Sequence, residues 1–424
     1  MRIPLAALAL VPSLAASISH AAGVNWPQPG NNAAHTADNT AETTLSASNV
    51  ASLAQRWSFT TGAQIDAPPV LQGKTVFALS TDGNLYALNA ATGKLLWSYQ
   101  VNINGAPGNW GVVANAKMVF VNCQLDYDGS EYGGHGGLCG LDAATGKLVW
   151  SWAIYDEGVG NPVDSSPYGP PVLANNTLYI GEADSGSFYH VGYMIALNST
   201  TGIPQWGVGN CGDTGFNDCN YVSGAPPAAI KGSVFYNAGD QSGPPGNAGA
   251  VCRWALDASA PAWCAYTTDS GLAPSLSGGK VLFEQAQNTG TQIVALNEST
   301  GAAEWTTNVT ATGSSHFAPA VADDKAYFNI GGSLYAVSAK NGKVAWLYTA
   351  GGAAGGIASG LSVANGVVYA ECTSGAGQLC AFNATTGALL ASIGIGGARG
   401  AGVIVANGAV FSVCGYNSLC RYAP

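Results

Sequence analysis

A nine-residue segment, Asn89-Ala90-Ala91-Thr92-Gly93-Lys94-Leu95-Leu96-Trp97, recurs along this chain and limits what it can fold into. Copies run from Asp142 to Trp150, Asn198 to Trp206, Asn297 to Trp305 and Ser338 to Trp346, each with the Trp four residues after the Gly. A weaker copy from Asn383 to Ala391 has lost its Trp, and Leu256 to Trp263 is a shortened one. A period of roughly forty to fifty residues marks an array of stacked supersecondary units, so the length does not imply separate domains.

The first unit shows what one repeat builds. Runs rich in Val, Leu, Tyr, Phe and Trp are separated by turn signals at Gln72-Gly73-Lys74, Asp82-Gly83 and Thr92-Gly93, which predicts four short antiparallel strands. Gly is abundant at 58 residues, charged residues make up only 9%, and no stretch sustains a helical period, so the class is all-β. Units follow at about residues 67–101, 111–152, 170–208, 226–266, 274–309, 319–348 and 360–393.

The ends of the array are complementary. Residues 53–60, Leu-Ala-Gln-Arg-Trp-Ser-Phe-Thr, form a Trp-bearing strand with no three strands before it, and residues 402–422 supply three strands and then stop. Pairing the two predicts an eight-bladed β-propeller closed by the N-terminal strand. Closure removes the open edges that a linear solenoid would leave.

Residues 1–22 read as a secretory signal, with Arg2, an apolar run and Ala21-Ala22 for cleavage; residues 23–52 read as a polar arm on the surface, and 53–424 as the propeller. A secreted, extracellular, monomeric protein is expected. Ten cysteines fall in sequence-local pairs, 123/139, 211/219, 252/264, 372/380 and 414/420, as expected of short-range disulfides in an exported chain. Asn175, Asn198, Asn297, Asn308 and Asn383 head glycosylation acceptor tripeptides. A net charge of −10 with only 14 Lys and Arg argues against nucleic acid or an anionic membrane as partner. A small-molecule alcohol, a sugar or a polysaccharide is the better match.

The repeat around Ala87 to Trp97 resembles the tryptophan-docking repeat of the pyrroloquinoline-quinone propellers, which include quinoprotein alcohol dehydrogenases, polyvinyl-alcohol dehydrogenases and noncatalytic outer-membrane assembly propellers. Trp26-Pro27-Gln28 with His35-Thr36 resembles the arm preceding such propellers. The resemblance implies pyrroloquinoline quinone with calcium as cofactor. Two family features are missing: no two cysteines are adjacent, and no Cys-x-x-Cys-His haem attachment sequence occurs. The repeated Trp reads as packing, because it recurs in blade after blade while an active site occurs once.

Chemistry is therefore expected on the face opposite the Thr-Gly turns, where the chain enters each innermost strand and where 124–138, 182–190, 239–249, 285–291 and 373–378 read as loop insertions. Aligning the blades places Asp66, Asn109, Trp110, Tyr168, Ser223, His316, Phe317 and Arg399 at that mouth. Asp66 or His316 would serve as general base, Arg399 would hold an anionic group or quinone carboxylate, and Trp110 would stack on a planar ring or a sugar. The plainer reading makes His316 a core residue and Arg399 a partner of Asp66. His135 and His190 fall in loops of the same face, but no ligand spacing joins them to His316, so no metal cluster is read from the histidines. Glu182, Glu284 and Glu371 are read as equivalent second-strand positions, hence repeat structure.

Three functions follow from this reading. The first is a quinone-dependent dehydrogenase of alcohols or sugars; the second is a noncatalytic propeller that binds carbohydrate or protein. The third is a polysaccharide lyase or hydrolase using His316, Tyr168 and Arg399.

Overall fold

A computed structural model describes residues 24–101, 111–126, 135–153, 165–167, 169–184, 192–209, 226–239, 249–255, 258, 260–269, 273–313, 317–397 and 400–424. These residues form eight antiparallel sheets, which we number as blades 1 to 8 in chain order. Blade 1 runs outward from Val70–Gln72 through Thr75–Leu79 and Asn84–Asn89 to Leu95–Gln100. Blades 2 to 7 occupy 112–153, 165–209, 228–267, 275–309, 320–348 and 362–394. Blade 8 takes Val403–Ala406, Ala409–Cys414 and Ser418–Ala423 from the C terminus and its outer strand, Ala54–Thr60, from the N terminus. Trp57 opposite Arg421 and Phe59 opposite Leu419 set the register of that closure.

Two strand features were not legible in the sequence. Ser165–Pro167 adds a fifth strand to blade 3 by pairing with the far end of Thr177–Asp184. In blade 5, Lys280–Gln287 and Gly290–Asn297 pair all the way to Gln287 opposite Gly290, so the expected insertion at 285–291 is a long hairpin with a two-residue turn. His135 likewise opens a strand and does not lie in a loop.

Seven Trp residues weld the seams between blades. The indole N–H of Trp57 donates to Ala90 O at 3.1 Å, Trp97 to Ala143 O at 3.1 Å, and Trp150 to Ser199 O at 3.1 Å. Trp206, Trp263, Trp305 and Trp346 repeat the bond to Ala258, Glu298, Ala339 and Ala384. Six of the seven receiving turns have a Gly, which they need for two reasons; the shortened turn that receives Trp206 has none. Gly93 has φ +71°, and a Cβ there would stand 2.7 Å from the Trp57 ring; Gly146 has φ +71° and would place a Cβ 2.6 Å from Trp97. The Asn or Asp that opens the motif holds the turn, as Asn89 Oδ1 accepts the N–H of Ala91 and of Thr92.

The Trp lost at Ala391 has a structural reason. It would dock on the turn between the third and fourth strands of blade 8, and there the two strands belong to opposite chain ends with no turn joining them. Leu45, Val50 and Leu53 fill this seam instead, packed with Leu390, Ala391 and Ile393. Disulfides 123–139, 372–380 and 414–420 clip the second strand to the third in blades 2, 7 and 8, and 252–264 clips the third to the fourth in blade 4. The pair 211/219 lies outside the described residues.

Candidate functional site

The channel through the ring is lined by the innermost strands, which run from the loop-bearing face to the face of the Thr-Gly turns. At the turn end the N-terminal segment does something the sequence reading missed. It does not lie on the outer surface; it enters the ring and follows it around once. Trp26 and Leu71 exchange N–H and C=O at 2.8 and 2.7 Å, Pro27 O accepts the N–H of Ala114, and the Gln28 amide both accepts from and donates to Leu173. Ala33, Ala34, Thr36 and Ala37 carbonyls then accept the N–H groups of Ala229, Leu276, Val321 and Val363 at 2.7 to 2.8 Å. Asn39 closes the circuit, its amide nitrogen donating to Val405 O at 2.7 Å. Strand register makes these eight partners the same position in the eight blades.

The physical need is plain. An innermost strand is an edge strand, and its channel-facing N–H and C=O groups are buried, so each lost partner would cost about 1–3 kcal/mol. The arm supplies those partners from 14 residues (26–39) and buries Trp26 at 2% exposure and His35 at 1%. It is folded on itself around Gly30, whose carbonyl accepts from Asn32 and Ala37, and around the Asn32 side chain, which accepts from Ala34 and Thr36. Beyond it, the Glu42 carboxylate takes the N–H groups of Thr44, Leu45 and Gly408 and fastens the arm to blade 8.

Two arm residues have displaced pKa values. Burial lowers His35 to about 4, outweighing the nearby Pro274 carbonyl, which makes no hydrogen bond of ordinary geometry to either ring nitrogen. Burial raises Asp38 to about 6, reinforced by the Asp323 carboxylate. Nothing in the composition marked these two; the signal available was the clustering of Asn, Gly and Pro around single Trp and His residues.

In the segment that leads into the first strand of blade 1, Asp66 is half-buried and accepts a hydrogen bond from the Gln64 amide. Phe317 is 36% exposed beside Gly360. Asn109, Trp110, Tyr168, Ser223, His316 and Arg399 lie outside the described residues, so the pairing of Arg399 with Asp66 does too. Below the mouth, buried polar side chains of the second strands hold the segments that lead into the next blade. Asn122 donates to Gly169 O at 2.9 Å, Asn329 to the carbonyls of Ile357 and Ser359, and Glu371 accepts from Gly400 N at 2.9 Å. Register puts Asn122, Asn237, Glu284, Asn329 and Glu371 at one equivalent position. Glu182 is one residue farther along, opposite Tyr193, and so does not belong to the set. Successive strand residues face opposite sides, which is why a one-residue slip in alignment misassigned it.

Among the described residues no three His, Cys, Asp or Glu side chains could hold a metal ion. A cleft of about 360 Å³ lies on the turn face between the arm and blades 2 and 3, lined by Pro27, Gln28, Gln72, Asn115, Asn175 and Asn176 among others. It holds no titratable side chain, so acid–base chemistry has no foothold there.

The profile of the PQQ_2 family, described as outer membrane protein assembly factor BamB, matches residues 13–264 and again 195–422. The chain belongs to the PQQ_2 family. Among its relatives, the dehydrogenase subunit of a quinone alcohol dehydrogenase from Komagataeibacter europaeus is 33% identical over 170 residues, which is 38% of this chain and 22% of that protein. The quinoprotein alcohol dehydrogenase PedH of Pseudomonas putida is 28% identical over 172 residues, 38% of this chain and 26% of that protein. The matched stretch thus spans about a quarter or less of these curated relatives. Among solved structures, a europium-containing methanol dehydrogenase superposes with a TM-score of 0.70 at 14% identity, covering 95% of this chain and 98% of the other. BamB from Moraxella catarrhalis superposes at 0.59 and 13%, covering 88% and 100%. At these identities the structures establish the propeller fold that PQQ_2 members share.

Proposed function

We propose that this PQQ_2 propeller is a quinone-dependent oxidoreductase of small alcohols, working at the loop-face mouth of its channel. The observation that supports it most is the arm: bonded to all eight inner strands at the turn end, it leaves the loop face for a cofactor to enter by. The relatives named as quinone alcohol dehydrogenases point the same way.

A bound quinone would supply the oxidising chemistry, taking up the hydride equivalent that an alcohol gives up. In this reading the Asp66 carboxylate would accept the hydroxyl proton, and the Gln64 amide, which donates to that carboxylate, would orient it. By sequence register the reading assigns Trp110 to stack on the quinone, Asn109 to hydrogen-bond it and Arg399 to pair with its carboxylates. His316 is assigned as a second base and Tyr168 as a proton donor. Among the described residues no three His, Cys, Asp or Glu side chains come together to hold calcium, and no step here passes through a metal. Disulfides within the blades support an oxidising compartment and hence export.

The test is titration of the purified protein with pyrroloquinoline quinone, with and without calcium, read by quinone absorbance and by dye reduction with primary alcohols. Binding is expected, and Asp66→Asn should lower turnover on the order of a hundredfold while leaving quinone binding in place. No binding at tens of micromolar would overturn the reading. It would favour a noncatalytic binding propeller.

A further inference from the structure

The eight ring residues that meet the arm share one position in the repeat, yet the arm has no repeat of its own. It reaches them almost wholly through backbone: carbonyls of Pro27, Ala33, Ala34, Thr36 and Ala37 and the N–H and C=O of Trp26. This is the way an added strand binds an exposed sheet edge, with main-chain bonds giving the hold and a few side chains fixing the register. Here the register is fixed by Trp26 in the core and by the amides of Gln28 and Asn39. Among the described residues no ion pair joins arm to ring, so the hold comes from backbone bonds and from the fit of small side chains.

The arm's fold is also separable from that of the blades. Gly30 has φ +66°, and a Cβ there would stand 2.8 Å from His35 Cα; both residues belong to the arm. A substitution at Gly30 therefore breaks the arm's own turn without touching a blade.

We infer that the ring of inner strand edges is a peptide-binding surface, that the arm is its resident ligand, and that a separate peptide of the arm's sequence takes the same place once the arm is displaced.

The experiment uses the full chain. In the unaltered protein, the amides of Leu71, Ala114, Ala229, Leu276, Val321 and Val363, which lie in six different blades, exchange with deuterium as one class, because one segment covers them all. In Gly30→Ala they accelerate together, on the order of tenfold or more, while amides between third and fourth strands keep their rates. A fluorescent synthetic peptide of residues 24–40 then binds Gly30→Ala and restores protection; the unaltered protein, its surface filled, gives no anisotropy change. If Gly30→Ala does not fold, Asn39→Ala, which removes the bonds to Asn25 O and Val405 O, takes its place. The inference is overturned if the six amides of the unaltered protein exchange in separate classes. It is equally overturned if the variant releases them and the peptide fails to restore protection, or if a scrambled peptide restores it as well.

Discussion

His35 and Asp38 lie three residues apart in the arm and are displaced in opposite directions, which makes the pH dependence of the arm's hold a sharp test. His35 falls from 6.5 to about 4 on docking, so between those values the free arm carries a proton that the docked arm lacks, and His35 makes stability fall as pH falls. Asp38 rises from 3.8 to about 6, so the docked arm carries the extra proton, and Asp38 makes stability fall as pH rises. Each displacement corresponds to about 3 kcal/mol as an upper bound, and Asp38, being half-buried, to less. Over pH 4 to 6 the two slopes oppose, because docking there moves a proton from His35 to Asp38 and takes up almost none from solution. The unaltered arm should therefore hold with little pH dependence, while single substitutions expose the slopes. Asp38→Asn removes the Asp38 slope and should lose roughly 1–2 kcal/mol relative to the unaltered protein as pH drops from 6 to 4. His35→Leu removes the His35 slope and should lose roughly 2–3 kcal/mol relative to the unaltered protein as pH rises from 4 to 6.5. Urea-unfolding midpoints at half-unit pH steps, each referred to the unaltered protein at the same pH, cancel the other titrating groups. If the two variants run parallel to the unaltered protein, or tilt in the same direction, the assignment of opposed burial effects is wrong.

Two further outcomes test the seams. Gly146→Ala puts a Cβ 2.6 Å from the Trp97 ring at a φ of +71°, and should cost about 2–4 kcal/mol, seen as a lower denaturation midpoint with loss of the near-ultraviolet Trp signal. Ala391→Trp, which restores the repeat's consensus residue, should not raise the melting temperature and should cost about 1–3 kcal/mol by overpacking the Leu45, Val50 and Leu53 cluster; a rise would refute the account of the missing Trp.

The repeat made much of the fold legible. The spacing of Gly93 and Trp97 and its copies gave the blade count, and the orphan strand around Trp57 gave the closure, because each is a local pattern whose partner is dictated by periodicity. Pairing of cysteines 123/139, 252/264, 372/380 and 414/420 was legible for the same reason: the partners lie on adjacent strands of one hairpin. Register within the second strands was less so. Glu182 looked equivalent to Glu284 and Glu371, and the blades differ by single residues that composition does not reveal. Of the expected mouth residues, only Asp66 and Phe317 are among the described residues, Asp66 half-exposed and bonded by Gln64.

What the sequence alone determined is everything a blade does with its neighbours in the chain: strand, turn, Trp dock and disulfide, all set by residues close in sequence or related by the period. What only the tertiary structure decided is the course of residues 26–39. Their partners, from Leu71 to Val405, are scattered through the whole chain and are backbone groups, which carry no side-chain signature. The arm's circuit of the inner strands and the burial of His35 both follow from contacts that exist only after the ring has closed.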